Sequence, residues 1–206
     1  MKWQQFLSDI RKATIVTLVG PLYGKMHVPV TPTIYIDAGA HFRTFSVTDN
    51  FAEVSVGDGD SAETELDEKL PEEKDYSDLA FALRHLPKSI DHVDLLGFLG
   101  GSRDHELINF GEVHHFLKDS PRFRSARFDD LVVAFAGGKL SMEIHGRFSV
   151  VVFQPASLQI TGSCSYPLND PTPMPEVSSM GLGNMGFGTV FVECTAPCFL
   201  FLGMGY

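Results

Sequence analysis

The chain has 206 residues, 44% of them hydrophobic, and a formal net charge of -10. That apolar share is enough to build cores in one large or two small domains, and the acidic balance excludes a general nucleic-acid surface, which needs clustered Lys and Arg. A run of about 20 apolar residues, the length of a membrane span, is also absent.

The opening segment, Met1 to Leu7 continuing through Ser8-Asp9-Ile10-Arg11-Lys12, is too polar for a secretory signal, so the expected location is the cytoplasm. Ala13 to Val19 is a short apolar run ended by Gly20-Pro21, and Thr33-Ile34-Tyr35-Ile36 runs into Asp37-Ala38-Gly39-Ala40. Glu53-Val54-Ser55-Val56 ends at Gly57-Asp58. These runs read as buried parallel strands with loops at their ends. In open α/β sheets ligands bind outside the carboxyl ends of the strands, so the residues just after each run are the informative ones.

Ala62 to Glu73 is dense in Asp and Glu without apolar periodicity, which reads as a solvated loop or flap. Helical spacing then begins: Ser77 is placed to cap Asp78 to Leu86, with Leu79 and Leu83 on one face and Pro87 as a stop. Val93 to Leu99 reads as a strand, Gly100-Gly101 as the turn after it, and Asp104 to Leu117 as a second helix stopped by Asp119-Ser120-Pro121. Beyond that point the spacing changes to alternation. Leu140, Met142 and Ile144 form one run and Phe148, Val150 and Val152 another, with His145-Gly146-Arg147 between them and Gly137-Gly138 as a hairpin before the first. Further strands are expected over Leu158 to Thr161, Gly188 to Glu193 and Phe199 to Leu202. The expected architecture is an α/β domain over 1–125 and an all-β sandwich over 126–206. The three cysteines, Cys164, Cys194 and Cys198, fit buried thiols in a reducing compartment.

Three acidic clusters fall at strand ends and helix starts: Gly57 to Ser61, Lys74 to Asp78, and Gly100 to His105. Carboxylates gathered in this way repel one another unless a cation lies among them. Asp58 and Asp60, two apart on extended chain, would point the same way; a tight polar turn and a metal site both account for them. Asp75 and Asp78 flank a helix start, where capping and metal binding are both open, and Asp104 is equally an N-cap candidate.

The order of these clusters resembles the thiamine pyrophosphokinase family. An Asp-Gly-Gly-Ala-like turn is matched by Asp37 to Ala40, Gly-Asp-x-Asp-Ser by Gly57 to Ser61, and Lys-Asp-x-Thr-Asp by Lys74 to Asp78 with Ser77 in place of Thr. Gly-Gly-Arg-x-Asp-His-x-x-x-Asn is matched by Gly100 to Asn109, with Ser102 directly after the glycines and Arg103 one position late. In the second half Gly162 to Leu168 is similar to the family's Gly-Leu-x-Tyr-x-Leu segment, and Ser178-Ser179 falls where the family has Ser-Asn.

The resemblance implies a Rossmann-like α/β catalytic domain, a β-sandwich domain, and a homodimer with thiamine near the subunit interface. It implies transfer of the terminal pyrophosphate of ATP to the thiamine hydroxyl, leaving AMP, with no membrane or nucleic-acid partner. Magnesium falls to Asp58, Asp60 and Asp78. Asp75 and Asp104, beside Asp78, would orient phosphate or activate the hydroxyl. Asp37, Lys74, Gly100, Gly101, Arg103 and His105 would serve the nucleotide phosphates, Asn109 would support their loop, and Ser178 and Ser179 would meet the acceptor. The changes at Ser102 and Ser179 carry one alternative, a pyrophosphokinase for another small alcohol such as a pterin; a second alternative is a non-catalytic relative that binds nucleotide or thiamine diphosphate.

Overall fold

The computed structural model describes residues 2–24, 29–45, 51–60, 65–119 and 124–203. The chain divides into two compact units, Met1–Phe116 and Leu117–Tyr206. Ser61 and the Ser120-Pro121 stop lie outside the described residues.

In the first unit the apolar runs become β1 (Ile15–Val19), β2 (Thr33–Ile36), β3 (Glu53–Gly57), the two-residue β4 (Glu68–Lys69) and β5 (His92–Leu96). They pair in parallel in the order β5-β1-β2-β3-β4. Val16, Leu18, Ile34, Val54, Val56, Val93 and Leu95 are fully buried, as expected where both faces of a parallel sheet are covered. The chain steps outward from β1 through β4 and then returns to β1's other side as β5. The strand order therefore reverses between β1 and β5, and open α/β sheets bind ligands at the carboxyl edge near such a reversal.

Three helices belong to this layer: α1 (Lys2–Asp9), α2 (Asp78–His85) and α3 (Arg103–Lys118). Ser77 caps α2 as expected, its hydroxyl accepting from the Ala80 N–H at 3.0 Å. Helix α1 was not expected. It is organised by Trp3, Phe6 and Ile10, all buried at helical spacing, and Trp3 packs 5.3 Å from the Phe81 ring of α2.

The polar segment before α2 is more structured than its composition suggests. The side chain of Asp67 is only 4% exposed. It accepts from Lys2 Nζ at 2.6 Å and the Ser55 N–H at 3.1 Å and pairs with Arg43, while its own N–H donates to Ser55 Oγ at 3.0 Å. Burial alone would raise the Asp67 carboxyl; the bonds from Lys2, Arg43 and Ser55 outweigh it and hold the group below its ordinary range. A carboxylate depressed in the folded state stabilises fully above the unfolded pKa, and that contribution is lost as pH falls through the folded value. Asp67→Asn is thus expected to cost about 2 kcal/mol at neutral pH. The gap to the parent should close in acid, below the carboxylate range. Urea unfolding at the two pH values reads this; a pH-independent gap would contradict it.

The second unit is entirely antiparallel: β6 (Ser125–Phe128), β7 (Val132–Phe135), β8 (Gly138–Val152), β9 (Ala156–Cys164), β10 (Leu168–Met174), β11 (Asn184–Cys194) and β12 (Cys198–Leu202). Their order is β10-β9-β11-β8-β12-β7-β6. One apolar cluster draws Phe135, Phe148, Val150, Ile160, Val190 and Leu200 from five of these strands.

The two expected runs around His145-Gly146-Arg147 are a single 15-residue strand, β8. Ile144 and Phe148 are four apart, so the in-out parity never changes and no turn is required. Strand β8 pairs β11 from Gly138 to Phe148 and β12 from Phe148 to Val152. The expected Gly137-Gly138 hairpin does not form, because β12 stands between β7 and β8 in the sheet. Strand β10 was not expected; its Pro171 and Pro173 are accommodated because β10 is at the end of the order. Cys164, Cys194 and Cys198 are buried free thiols. A hydrogen bond from Cys198 draws the Cys194 thiol down to about 7, and the same contact with burial pushes Cys198 up.

Candidate active-site cleft

A cleft of about 640 Å³ opens in the first unit along the carboxyl ends of its strands. Pro21 and Leu22 follow β1, Asp37 follows β2, Asp58 and Asp60 follow β3, and Gly97 and Phe98 follow β5; each contributes to the wall. Lys74, Ser77 and Asp78 line it from the start of α2, and Gly101, Ser102, His105 and Asn109 from the start of α3. Members of all three clusters of the sequence thereby meet in one cleft, with their acids coming from the first two.

Close backbone approach makes the acidic end possible. A Cβ on Gly57 would meet the Asp37 Cα at 2.9 Å, so only glycine lets the chain after β2 lie against the end of β3. Asp37 itself has a φ of +50°, a conformation that side chains other than glycine rarely adopt. The result is that Asp37, Asp58 and Asp60 each offer a carboxylate oxygen within 4.8 Å of one another.

Lys74 joins this group to α2. Its Nζ pairs closely with Asp58 Oδ2 and lies 3.2 Å from Asp78 Oδ1. Asp58 also accepts from the Asp60 N–H at 3.2 Å. Burial alone would raise Asp58, but the Lys74 and Asp60 bonds hold it below the usual carboxylate range. Asp78 moves the other way, raised by burial with the charges of Asp58 and Asp37 adding to it. Burial alone would lower Lys74; its bonds to Asp58 and Asp78 outweigh that and raise it, so it is a cation.

The α3 end is less complete. Gly101, His105 and Asn109 line the cleft, and Asn109 Nδ2 donates to the Phe98 carbonyl at 3.0 Å, tying the loop after β5 to the helix. Gly100, with a φ of +92°, shapes the turn without reaching the wall. Arg103 also stays outside it: its side chain is 91% exposed and pairs with Glu106 at 3.4 Å. Asp104 is exposed and held below the usual range by the Ser102 hydroxyl and the His105 N–H, an arrangement that steadies the helix start. Asp75 is exposed and does not line the cleft.

Ser178 and Ser179 lie in the second unit. Ser178 Oγ accepts from the Met180 N–H at 3.2 Å and caps a single turn, and Ser179 is exposed. The turn borders a second cleft, about 340 Å³, lined by Tyr166, Met180, Leu182 and Asn184 among others. Asn184 is the polar residue the sequence did not reveal. Its amide donates to the Tyr166 carbonyl at 2.8 Å and accepts from the N–H groups of Tyr166 and Met185 at 3.0 and 2.8 Å. It shapes the Tyr166 loop with all its polar atoms engaged.

The donor set fits a hard divalent cation. Magnesium takes oxygen ligands and is commonly held by one or two carboxylates plus substrate phosphates, and crowded carboxylates with one ammonium among them are underneutralised. Among the described residues no helix is long and apolar enough to cross a membrane.

No sequence-family model and no curated protein matches the chain in sequence. Solved structures do match it. Thiamine pyrophosphokinase from Bacillus subtilis is 20% identical with a TM-score of 0.67, over 92% of this chain and 100% of that one. The enzyme from Geobacillus thermodenitrificans is 18% identical with a TM-score of 0.65, over 93% and 98%. That from Candida albicans is 13% identical with a TM-score of 0.65, over 95% and 89%. At such identities the shared property is the fold, and the resemblance in the motifs extends to it: this chain folds like the thiamine pyrophosphokinases.

Proposed function

We propose that the protein is a magnesium-dependent pyrophosphokinase that moves the terminal pyrophosphate of ATP to the hydroxyl of thiamine, giving thiamine diphosphate and AMP. The observation that carries this reading is the meeting of Asp37, Asp58, Asp60, Lys74 and Asp78 in one cleft at the strand ends. In this reading residues 1–125 form a Rossmann-like catalytic domain, and residues 126–206 form a β-sandwich that holds the acceptor. The exposed Tyr166, Met180, Leu182 and Phe187 of the second unit support a homodimer with the acceptor near the subunit interface. The cytoplasm is the compartment that supplies ATP and magnesium.

Diphosphate transfer between oxygens calls for positioning and charge neutralisation more than covalent help. Asp58, Asp60 and Asp78, with Asp37 added by the geometry, would hold magnesium, which supplies neutralisation of the phosphate oxygens when bound. Lys74 offers a fixed-charge contact to the same phosphates. Gly101, at the start of α3, lets backbone N–H groups approach the anion where the helix dipole favours it. Asn109 keeps the loop after β5 in place, and His105 stands on the adjoining wall. Asp104 and Asp75 flank lining residues but stay outside the wall, and they would orient the acceptor hydroxyl and receive its proton only by turning into the cleft, as Arg103 would reach phosphate only by leaving Glu106.

A second reading, transfer to another small alcohol such as a pterin, is favoured by Ser102 directly after Gly100-Gly101 and by Ser179 as a short hydroxyl beside the second cleft. Incubation with ATP, magnesium and thiamine, followed by assay of AMP and thiamine diphosphate, tests the first reading. Absence of product at high enzyme concentration overturns it. AMP release with a different hydroxymethyl heterocycle selects the second, and tight nucleotide binding with no turnover on any acceptor selects a non-catalytic binding protein.

A further inference from the structure

Resting on the magnesium reading above, we infer that Lys74 is an exchangeable internal counter-ion: its ammonium holds carboxylates that the divalent cation also uses, and the two cations displace each other. Asp58 belongs to both groupings. One of its oxygens faces Lys74, and the residue is also a member of the trio with Asp37 and Asp60 whose oxygens lie within 4.8 Å of one another. Asp78, the other anchor of Lys74 at 3.2 Å, faces the same charges. The Lys74 side chain is 7% exposed, so this is a seated ion pair and not a surface encounter.

Charge and space decide how the site responds to a divalent ion. Magnesium binds carboxylate oxygen at about 2.0–2.1 Å and tolerates little departure from octahedral geometry, so an ammonium already seated against Asp58 crowds its coordination shell. A doubly charged ion beside a singly charged one in a half-buried site also repels it. Lys74 precedes the Ser77 cap by three residues, outside α2, so its displacement does not require the helix to unwind. Its side chain lines the same cleft, so the displaced ammonium remains among the groups that face an incoming diphosphate. Arrival of the metal and presentation of Lys74 to phosphate are therefore one event. The resulting order, metal before productive anion contact, is a property of this chain's own residues.

Two measurements without nucleotide or thiamine test the exchange. The first titrates Mn²⁺, as a paramagnetic substitute for magnesium, into the full-length protein and its Lys74→Met variant, with free Mn²⁺ read by electron paramagnetic resonance. Removal of the competing cation is expected to tighten Mn²⁺ binding by about tenfold or more, whereas Lys74→Arg should stay near the parent. Equal or weaker binding by Lys74→Met overturns the counter-ion role while leaving the magnesium reading standing. No Mn²⁺ binding by either protein overturns both. The second uses the unaltered protein, so it does not depend on any variant folding: reductive methylation read by mass spectrometry. Lys74 is expected to react more slowly than Lys139, whose side chain is 63% exposed, and to speed up when Mg²⁺ is added. A Lys74 rate that Mg²⁺ leaves unchanged also overturns the proposal.

Discussion

Asp58→Asn is expected to lower pyrophosphate transfer by about 10³-fold while leaving the fold intact. Asparagine keeps the shape and retains an oxygen that can accept from the Asp60 N–H, the bond at 3.2 Å that sets the turn after β3. The change removes the charge shared by the carboxylate trio and by Lys74. The loss should appear in kcat more than in the KM for ATP, because charge neutralisation matters most as the phosphate oxygens separate. Because the Lys74 and Asp60 bonds hold Asp58 below its ordinary range, its charge stabilises the folded state, so the unfolding midpoint should fall modestly while the variant stays folded under assay conditions. Asp78→Asn is expected to behave alike in activity. Rates of AMP formation under saturating ATP and thiamine, beside denaturant unfolding curves, check both. Activity within tenfold of the parent would remove Asp58 from the machinery.

The carboxyl-edge cleft was legible because parallel strands buried on both faces leave a plain trace: an apolar run, then the polar residues the chain tolerates only where the run stops. Asp58, Asp60 and Asp78 were readable by that rule and by the capping pattern of Ser77, whereas Asn109, inside α3, was reached only through the resemblance. Asp37 was readable as a strand-end acid, but its place among the carboxylates depends on a positive φ and on Gly57 admitting its backbone, and neither is a local sequence property. Arg103 illustrates the reverse. One position of slippage after Gly100-Gly101 turns its side chain to solvent and Glu106, and the helix start is occupied by Ser102 and Asp104 instead.

Asp67 was hidden for a different reason. A buried charge is recognised by its partners, and these lie 12, 24 and 65 residues away in Ser55, Arg43 and Lys2. In its own neighbourhood it is one acid among many. Strand β8 was divided wrongly because Gly146, with a φ of +132°, looks like a turn residue, although the parity from Leu140 to Val152 is unbroken. Periodicity was the better guide there than composition. Asn184 had no signal of either sort, since its role consists of three hydrogen bonds to one neighbouring loop and to the next residue.

Gly97→Ala is expected to cost about 3 kcal/mol or more of stability and to dismantle the cleft's β5 side, because two independent faults coincide. The residue has a φ of +75°, where a side chain is strained whatever the space around it. Its added Cβ would also lie 2.1 Å from the Tyr23 nitrogen and 2.6 Å from the Leu22 carbonyl carbon, backbone atoms that cannot rotate away. Relief requires the loop after β1 to retreat from the loop after β5. That breaks the bond from the Leu22 N–H to the Gly97 carbonyl at 3.1 Å and withdraws Leu22 from Gly101, where the fit is already close enough that a Cβ would meet it at 3.1 Å. Phe98 and the Asn109 bond to its carbonyl lie directly downstream, so the phosphate-facing turn loses its support at the same time. Urea unfolding at an unchanged m-value should show the stability loss, and activity should fall even where the variant remains folded. A cost below about 1 kcal/mol would mean that the two loops are not fixed against each other, and with them the wall on which the proposed anion site depends.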